Sequence, residues 1–168
     1  VSDAYAALEA DPRKPMLNRA ISERYAPGST FKVLTAIALI ENGIANPDTR
    51  MDSPVSTTLP GTNTEVSNIE SSTCGDGKPT LTEAFARSCN TTFVIASEKL
   101  TTQQLTDVTK RFGFGHEQEI PLTVIPSVFP SDADSAQLAM SSIGQYTVQA
   151  TPMQMAQVAQ TIANGGQM

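Results

Sequence analysis

The chain has no tryptophan, one histidine and two cysteines in 168 residues. Aromatic residues make up 5% of it, and lysine occurs five times. Each scarcity excludes something. Two cysteines and one histidine are too few for an ordinary structural zinc site. The lone His116 sits in a Gly-rich, acidic stretch and reads as a loop residue, so serine chemistry here has to run without histidine. No apolar run reaches the roughly 18–20 residues that span a bilayer, and no signal peptide is visible. Basic residues number 11 against 17 acidic ones, a net charge of −6. That balance argues against nucleic acid or an anionic membrane surface as partner. Neither an internal repeat nor a low-complexity tail is present, no cofactor or metal is expected, and the length suffices for a hydrophobic core.

Among what is present, Ser29-Thr30-Phe31-Lys32 stands out. Pro27-Gly28 breaks the chain just before it, and Val33 to Ile40 is apolar nearly all round, which predicts a buried helix over Ser29–Ile40 with Gly43 as a stop. Positions i and i+3 share a helix face. Ser29 then stands at the first turn, where backbone N–H groups are unpaired and the dipole favours negative charge. Lys32 lies one turn further in, where burial would depress its pKa toward neutrality and make it a base for Ser29. With fifteen serines and five lysines, the spacing alone arises about half a time by chance. Its plain alternative is a capping serine and a snorkelling surface lysine, so context decides.

The context is Ser88-Cys89-Asn90. Thr80-x-x-Glu83 is a capping box that opens a helix near 81–87, and apolar Phe93 to Ala96 begins another near 91–99. A Ser and an Asn two apart suit the turn between them, with both side chains in a cleft; the plain alternative is a helix cap. Residues near 48–79 are rich in turn formers and predict loop with a short hairpin around Thr64–Ile69. Thr101-x-x-Gln104 opens a helix that ends at Gly113. An extended, Pro-containing stretch covers 120–131, a helix follows near 134–141, and Thr151-Pro152 starts the last one, ending at Asn164-Gly165. Met153 and Met155 fall on it as core residues. Arg19 and Glu23 are spaced to pair on a helix.

Tyr25 to Lys32 resembles the first motif of penicillin-binding proteins, the serine DD-transpeptidases, and Ser88-Cys89-Asn90 resembles their Ser-x-Asn motif. Met16-Leu17-Asn18-Arg19-Ala20, Phe112-Gly113-Phe114-Gly115, Ile143-Gly144-Gln145, Thr151 to Ala156 and Ala163-Asn164-Gly165-Gly166 extend the likeness over nearly the whole chain. It is similar to class B enzymes of the actinobacterial penicillin-binding protein A type. One departure is plain: no lysine is followed by Ser/Thr-Gly, the family's third motif. The expected reading is therefore a mainly α piece, residues 1–168 of a transpeptidase domain truncated before that motif. It would be the helical portion of the α+β fold, with most sheet strands missing and the apolar side of the central helix uncovered.

The resemblance implies acyl transfer. Ser29, Lys32, Ser88 and Asn90 would be catalytic, with Asn90, Gln145 and Tyr146 against substrate, although Tyr146 also suits a packing role. Stem peptides ending in D-Ala-D-Ala and β-lactams would be the ligands. The parent would be held at the outer face of the cell membrane by an N-terminal helix, beside a glycan-polymerising partner. In that compartment Cys74 and Cys89 can pair or stay reduced; a bond would tie the Ser71–Gly75 loop to the second motif and contribute about 3 kcal/mol. Alternatives are a DD-carboxypeptidase, a non-catalytic β-lactam sensor or scaffold, and a serine β-lactamase. The last needs a deacylating base, for which Glu117 and Glu119 are the candidates.

Overall fold

The computed structural model describes residues 2–118 and 120–168; Glu119 lies outside the described residues. In chain order the elements are α1 (Ser2–Ala10), α2 (Arg19–Ser22), a 3-10 turn (Gly28–Phe31), α3 (Lys32–Glu41), β1 (Ser56–Thr58), β2 (Glu65–Ser67), a short 3-10 turn (Ile69–Ser71), α4 (Leu81–Ala86), α5 (Asn90–Ser97), α6 (Thr102–Arg111), α7 (Ser135–Ser141) and α8 (Pro152–Ala163). The two strands pair antiparallel, Thr57 opposite Val66.

Helix α3 is the centre of the packing. Lys32, Leu34, Thr35, Ala38 and Leu39 are buried on one side of it, against α4, α5 and α6. Phe31, just before it, stacks on Phe129 with ring centroids 5.8 Å apart and meets Phe114 edge-on at 5.9 Å. These rings seat the start of α3 in the core, since burying one phenylalanine stabilises by roughly 1.5–3 kcal/mol. The opposite stripe of α3 is Val33, Ala36 and Ile37, half-buried, and Ile40, exposed. That is an apolar i, i+3, i+4, i+7 face; Val33, Ala36 and Ile37 pack in part against the core and Ile40 is open to solvent.

Local signals explain most boundaries. Thr80 with Glu83, and Thr101 with Gln104, form reciprocal capping boxes. Thr151 accepts from the Gln154 amide, with Pro152 at the first helical position. A third capping box, Asp134 with Gln137, opens α7. Three features depart from the sequence reading. The expected helix from Ser29 begins with a 3-10 turn, and α-geometry starts at Lys32. Gly28 there has φ +55° and its N–H is given to the carbonyl of Gly144 at 2.9 Å, so the chain enters the turn tethered from outside it. Helix α1 was not expected; it has no buried residue. Short α2 carries Arg19, whose Nε lies 3.6 Å from Glu23 as the helical spacing suggests, whereas the hairpin expected around Thr64–Ile69 pairs Glu65–Ser67 with Ser56–Thr58 instead. No described helix is long and apolar enough to cross a membrane.

Candidate active site

The 3-10 turn leaves Ser29 exposed at the surface while the next turn takes Lys32 inward. Lys32 is 1% exposed, too buried for a snorkelling surface lysine. Its Nζ donates to the Ser88 carbonyl at 2.7 Å, to Ser88 Oγ at 3.0 Å and to Asn90 Oδ1 at 2.7 Å. It also stands over the Phe93 ring, 5.6 Å from the centroid. Burial pushes the Lys32 amine down to about 8. No carboxylate contacts it, and all three polar partners are neutral, so desolvation of the ammonium is the governing effect. The shift brings a minor fraction of the amine at pH 7 into the neutral form that a general base requires.

The partners reach Lys32 because of the turn between α4 and α5. Ser88 has φ +59°, a left-handed conformation uncommon outside glycine. It turns both the Ser88 carbonyl and hydroxyl onto one amine. Asn90 follows as the first residue of α5; its Oδ1 faces Lys32 and its Nδ2 donates to the Ser67 carbonyl at 3.0 Å. One amide hydrogen of Asn90 remains for another acceptor. Neither residue is the side-chain cap of α5, whose N-cap Cys89 makes no capping bond.

Two further supports hold this turn. Cys74 and Cys89 are joined as a disulfide, with Cα atoms 5.9 Å apart, fastening the 71–75 loop to the middle of the second motif. Asn68, which sequence reasoning passed over, is buried and accepts from the Thr91 amide at 3.0 Å. Its Nδ2 is near the Pro54 and Ser72 carbonyls, at 3.0 and 3.1 Å, and Ser53 Oγ at 3.4 Å. Residues 67 and 68 are therefore gripped by residues 90 and 91. The only signal was an Asn directly after a strand. Beside the turn opens a cleft of about 290 Å3 lined by Asn68, Glu70, Ser72, Arg87, Ser88 and the disulfide, among others.

The segment after α7 approaches the Ser29 turn from the other side. Thr35 Oγ1 donates to the Ser142 carbonyl at 2.7 Å. Tyr25 and Ala150 exchange two backbone bonds of 2.9 Å. Between these ties Gly144 lies against Gly28, and the exposed Gln145 comes near it: a Cβ built on Gly28 would stand 3.7 Å from Gln145 Nε2. Tyr146 is 49% exposed with φ +62°, so packing does not account for it. Met155 packs on the core. His116 is exposed in the loop after α6. Glu117 lines a different cavity, formed with Ile120 to Val124, whose walls include none of Ser29, Lys32, Ser88 or Asn90.

A buried lysine whose amine is shifted toward neutrality, one turn after an exposed serine and held by a Ser-x-Asn turn, has the parts that a serine nucleophile without histidine uses. The sequence profile of the penicillin binding protein transpeptidase domain matches residues 2–168, and the chain belongs to that family. It is 47% identical to the peptidoglycan D,D-transpeptidase PbpA of Mycolicibacterium smegmatis over 98% of this chain and 34% of that protein. A solved structure of penicillin-binding protein A from M. tuberculosis as its penicillin G acyl-enzyme complex superposes with a TM-score of 0.91. That match has 40% identity and covers 98% of this chain and 38% of the other. A structure on coordination of polymerization and crosslinking by a peptidoglycan synthase complex matches with TM-score 0.85 at 30% identity, over 98% of this chain and 30% of that one. The chain spans about a third of the length of the curated relative. Its helices are the helical portion of the transpeptidase fold.

Proposed function

We propose that the protein carrying this chain is a peptidoglycan DD-transpeptidase that works through an acyl-serine intermediate on Ser29. The observation that carries this is the Lys32 amine, buried and held by Ser88 and Asn90 one turn beyond Ser29. Neutral Lys32 takes the Ser29 proton as Oγ attacks the carbonyl between two terminal D-alanines. The Oγ–C bond forms, and the C–N bond breaks as the proton passes, through Ser88, to the departing D-alanine amine. An amine of a second stem peptide then attacks the ester, forms the new amide and returns a proton to Ser29. The Ser29 N–H serves as one oxyanion donor. Asn90, through its remaining amide hydrogen, and exposed Gln145 and Tyr146 hold the peptide. β-Lactams acylate Ser29 as mimics of the acyl-D-Ala-D-Ala unit.

The site works on the extracytoplasmic side of the membrane, where a Cys74–Cys89 disulfide persists. There the protein is anchored by an N-terminal helix and acts beside a glycan-polymerising partner, as the likeness to the synthase complex supports. A hydrolytic reading, β-lactamase or carboxypeptidase, needs a base that activates water at the ester, and Glu117 lines a separate cavity. Full-length protein, given a D-Ala-D-Ala peptide and an amine acceptor, should yield the cross-linked amide in excess over the hydrolysed acid. It should also keep its penicillin adduct for many turnover times of a β-lactamase. Hydrolysed acid alone would mark a carboxypeptidase, rapid penicillin turnover a β-lactamase, and no adduct a sensor or scaffold.

A further inference from the structure

Gly144 touches the nucleophile turn at one peptide group. A Cβ built on it would stand 2.1 Å from the Gly28 carbonyl oxygen and 2.8 Å from both the Gly28 carbonyl carbon and nitrogen. A Cβ essentially never sits within 3.0 Å of another heavy atom, so only glycine fits, and φ +70° at Gly144 asks for glycine as well. The carbonyl of Gly28 and the N–H of Ser29 belong to one planar trans unit. Whatever presses on that oxygen turns that N–H. Gly28 and Gly144 are also joined by the 2.9 Å bond from the Gly28 N–H to the Gly144 carbonyl. The segment cannot swing away to relieve an overlap. Ser142 is tied to Thr35 on one side, Ala150 to Tyr25 on the other, and the Ser142 hydroxyl donates to the Ala139 carbonyl at 2.6 Å.

We infer that Gly144 is a positioning residue: its bare Cα is the stop against which the Gly28–Ser29 peptide rests, and so fixes the direction of the Ser29 N–H. This rests on the acyl-serine reading for its catalytic consequence. On that reading the N–H faces charge that exists only in the transition state. Losing one oxyanion donor costs about 10²–10³ in rate. The effect therefore belongs to the acylation step and not to ground-state binding of the β-lactam. It also leaves Lys32 alone, whose polar partners are Ser88 and Asn90 on a different turn.

The test compares Gly144→Ala with Gly43→Ala in the full-length protein. Gly43 has φ +67° with nothing within 4 Å of its would-be Cβ, so it carries similar backbone strain without the overlap. Four quantities are read: the acylation rate constant and the dissociation constant for benzylpenicillin by stopped flow, the pH midpoint of acylation, and the amide 15N–1H resonance of Ser29. Gly144→Ala is expected to slow acylation on the order of 100-fold, with dissociation constant and pH midpoint kept and the Ser29 amide resonance moved. Gly43→Ala is expected to leave all four near wild type while losing some thermal stability to its backbone strain. An unmoved Ser29 resonance in Gly144→Ala, or a loss of rate shared by Gly43→Ala, overturns the inference. Wild-type protein that takes no acyl group defeats the acyl-serine reading instead, and the Ser29 resonance then still decides whether Gly144 sets the peptide.

Discussion

Replacing Asn90 by Asp puts a carboxylate oxygen where an amide oxygen now accepts from Lys32 Nζ at 2.7 Å. The change is nearly isosteric, and its main consequence is electrostatic. Lys32 sits at about 8 because burial penalises its ammonium and no anion offsets the penalty. An adjacent carboxylate favours the charged form and raises such a pKa by about 1–3 units. Taking the middle of that range, neutral lysine at pH 7 falls from about a tenth of the molecules to about a thousandth. The active base is the neutral amine, so acylation at pH 7 should drop about 100-fold. It should recover as pH rises toward 10, because titrating the lysine restores the base. The plateau itself will be lower, since the Asn90 Nδ2 bond to the Ser67 carbonyl is lost as well; the midpoint is the informative quantity. Stopped-flow acylation by benzylpenicillin across pH 6–10.5 measures both. Wild type should rise through about 8, and Asn90→Asp about two units higher. A variant slowed equally at every pH, with its midpoint unmoved, would refute the assignment of Lys32 as the titrating base.

Other consequences are more structural. Asn68→Ala strips the Thr91 amide of its buried acceptor and leaves two carbonyls without their donor; chemical denaturation should show a loss of roughly 2–4 kcal/mol. Reducing the Cys74–Cys89 bond, or Cys89→Ala, opens a loop of 15 residues and should cost about 3 kcal/mol in the same measurement. An equal midpoint with and without reductant would count against the bond. Phe31→Ala removes the ring that meets Phe114 and Phe129 and should destabilise by about 3–5 kcal/mol. The 168-residue chain expressed alone presents half-buried Val33, Ala36 and Ile37 beside exposed Ile40 on one face of α3, so sedimentation should show self-association that Ile40→Lys weakens.

How much of this was legible beforehand follows from how local each signal is. The Ser29–Lys32 spacing, the capping boxes at Thr80 and Thr101 and the proline opening α8 act within four residues, and the helices lie where those residues point. Of the hairpin expected around Thr64–Ile69 only Glu65–Ser67 is a strand, and its partner Ser56–Thr58 lies outside that range. What local pattern cannot carry is contact across long separations. Gly144 meets Gly28 more than a hundred residues away, and in sequence Ile143-Gly144-Gln145 carries only a family likeness, with nothing to name its contact. Asn68 reads as a loop residue until Thr91 is seen above it. The 3-10 start at Ser29 has the same origin, since the tether from Gly144 decides how the chain enters the helix. Helix α1 has no apolar stripe strong enough to announce it and buries nothing among the described residues.

The central claim is that Ser29 attacks and Lys32 makes it able to. Full-length protein incubated with benzylpenicillin, digested and mapped by mass spectrometry tests it directly, with Ser29→Ala and Lys32→Ala alongside. The account predicts a persistent penicilloyl group on the peptide containing Ser29, none in Ser29→Ala, and acylation slowed at least 100-fold in folded Lys32→Ala. An adduct on another residue, or a folded Lys32→Ala that acylates at the wild-type rate, would contradict it.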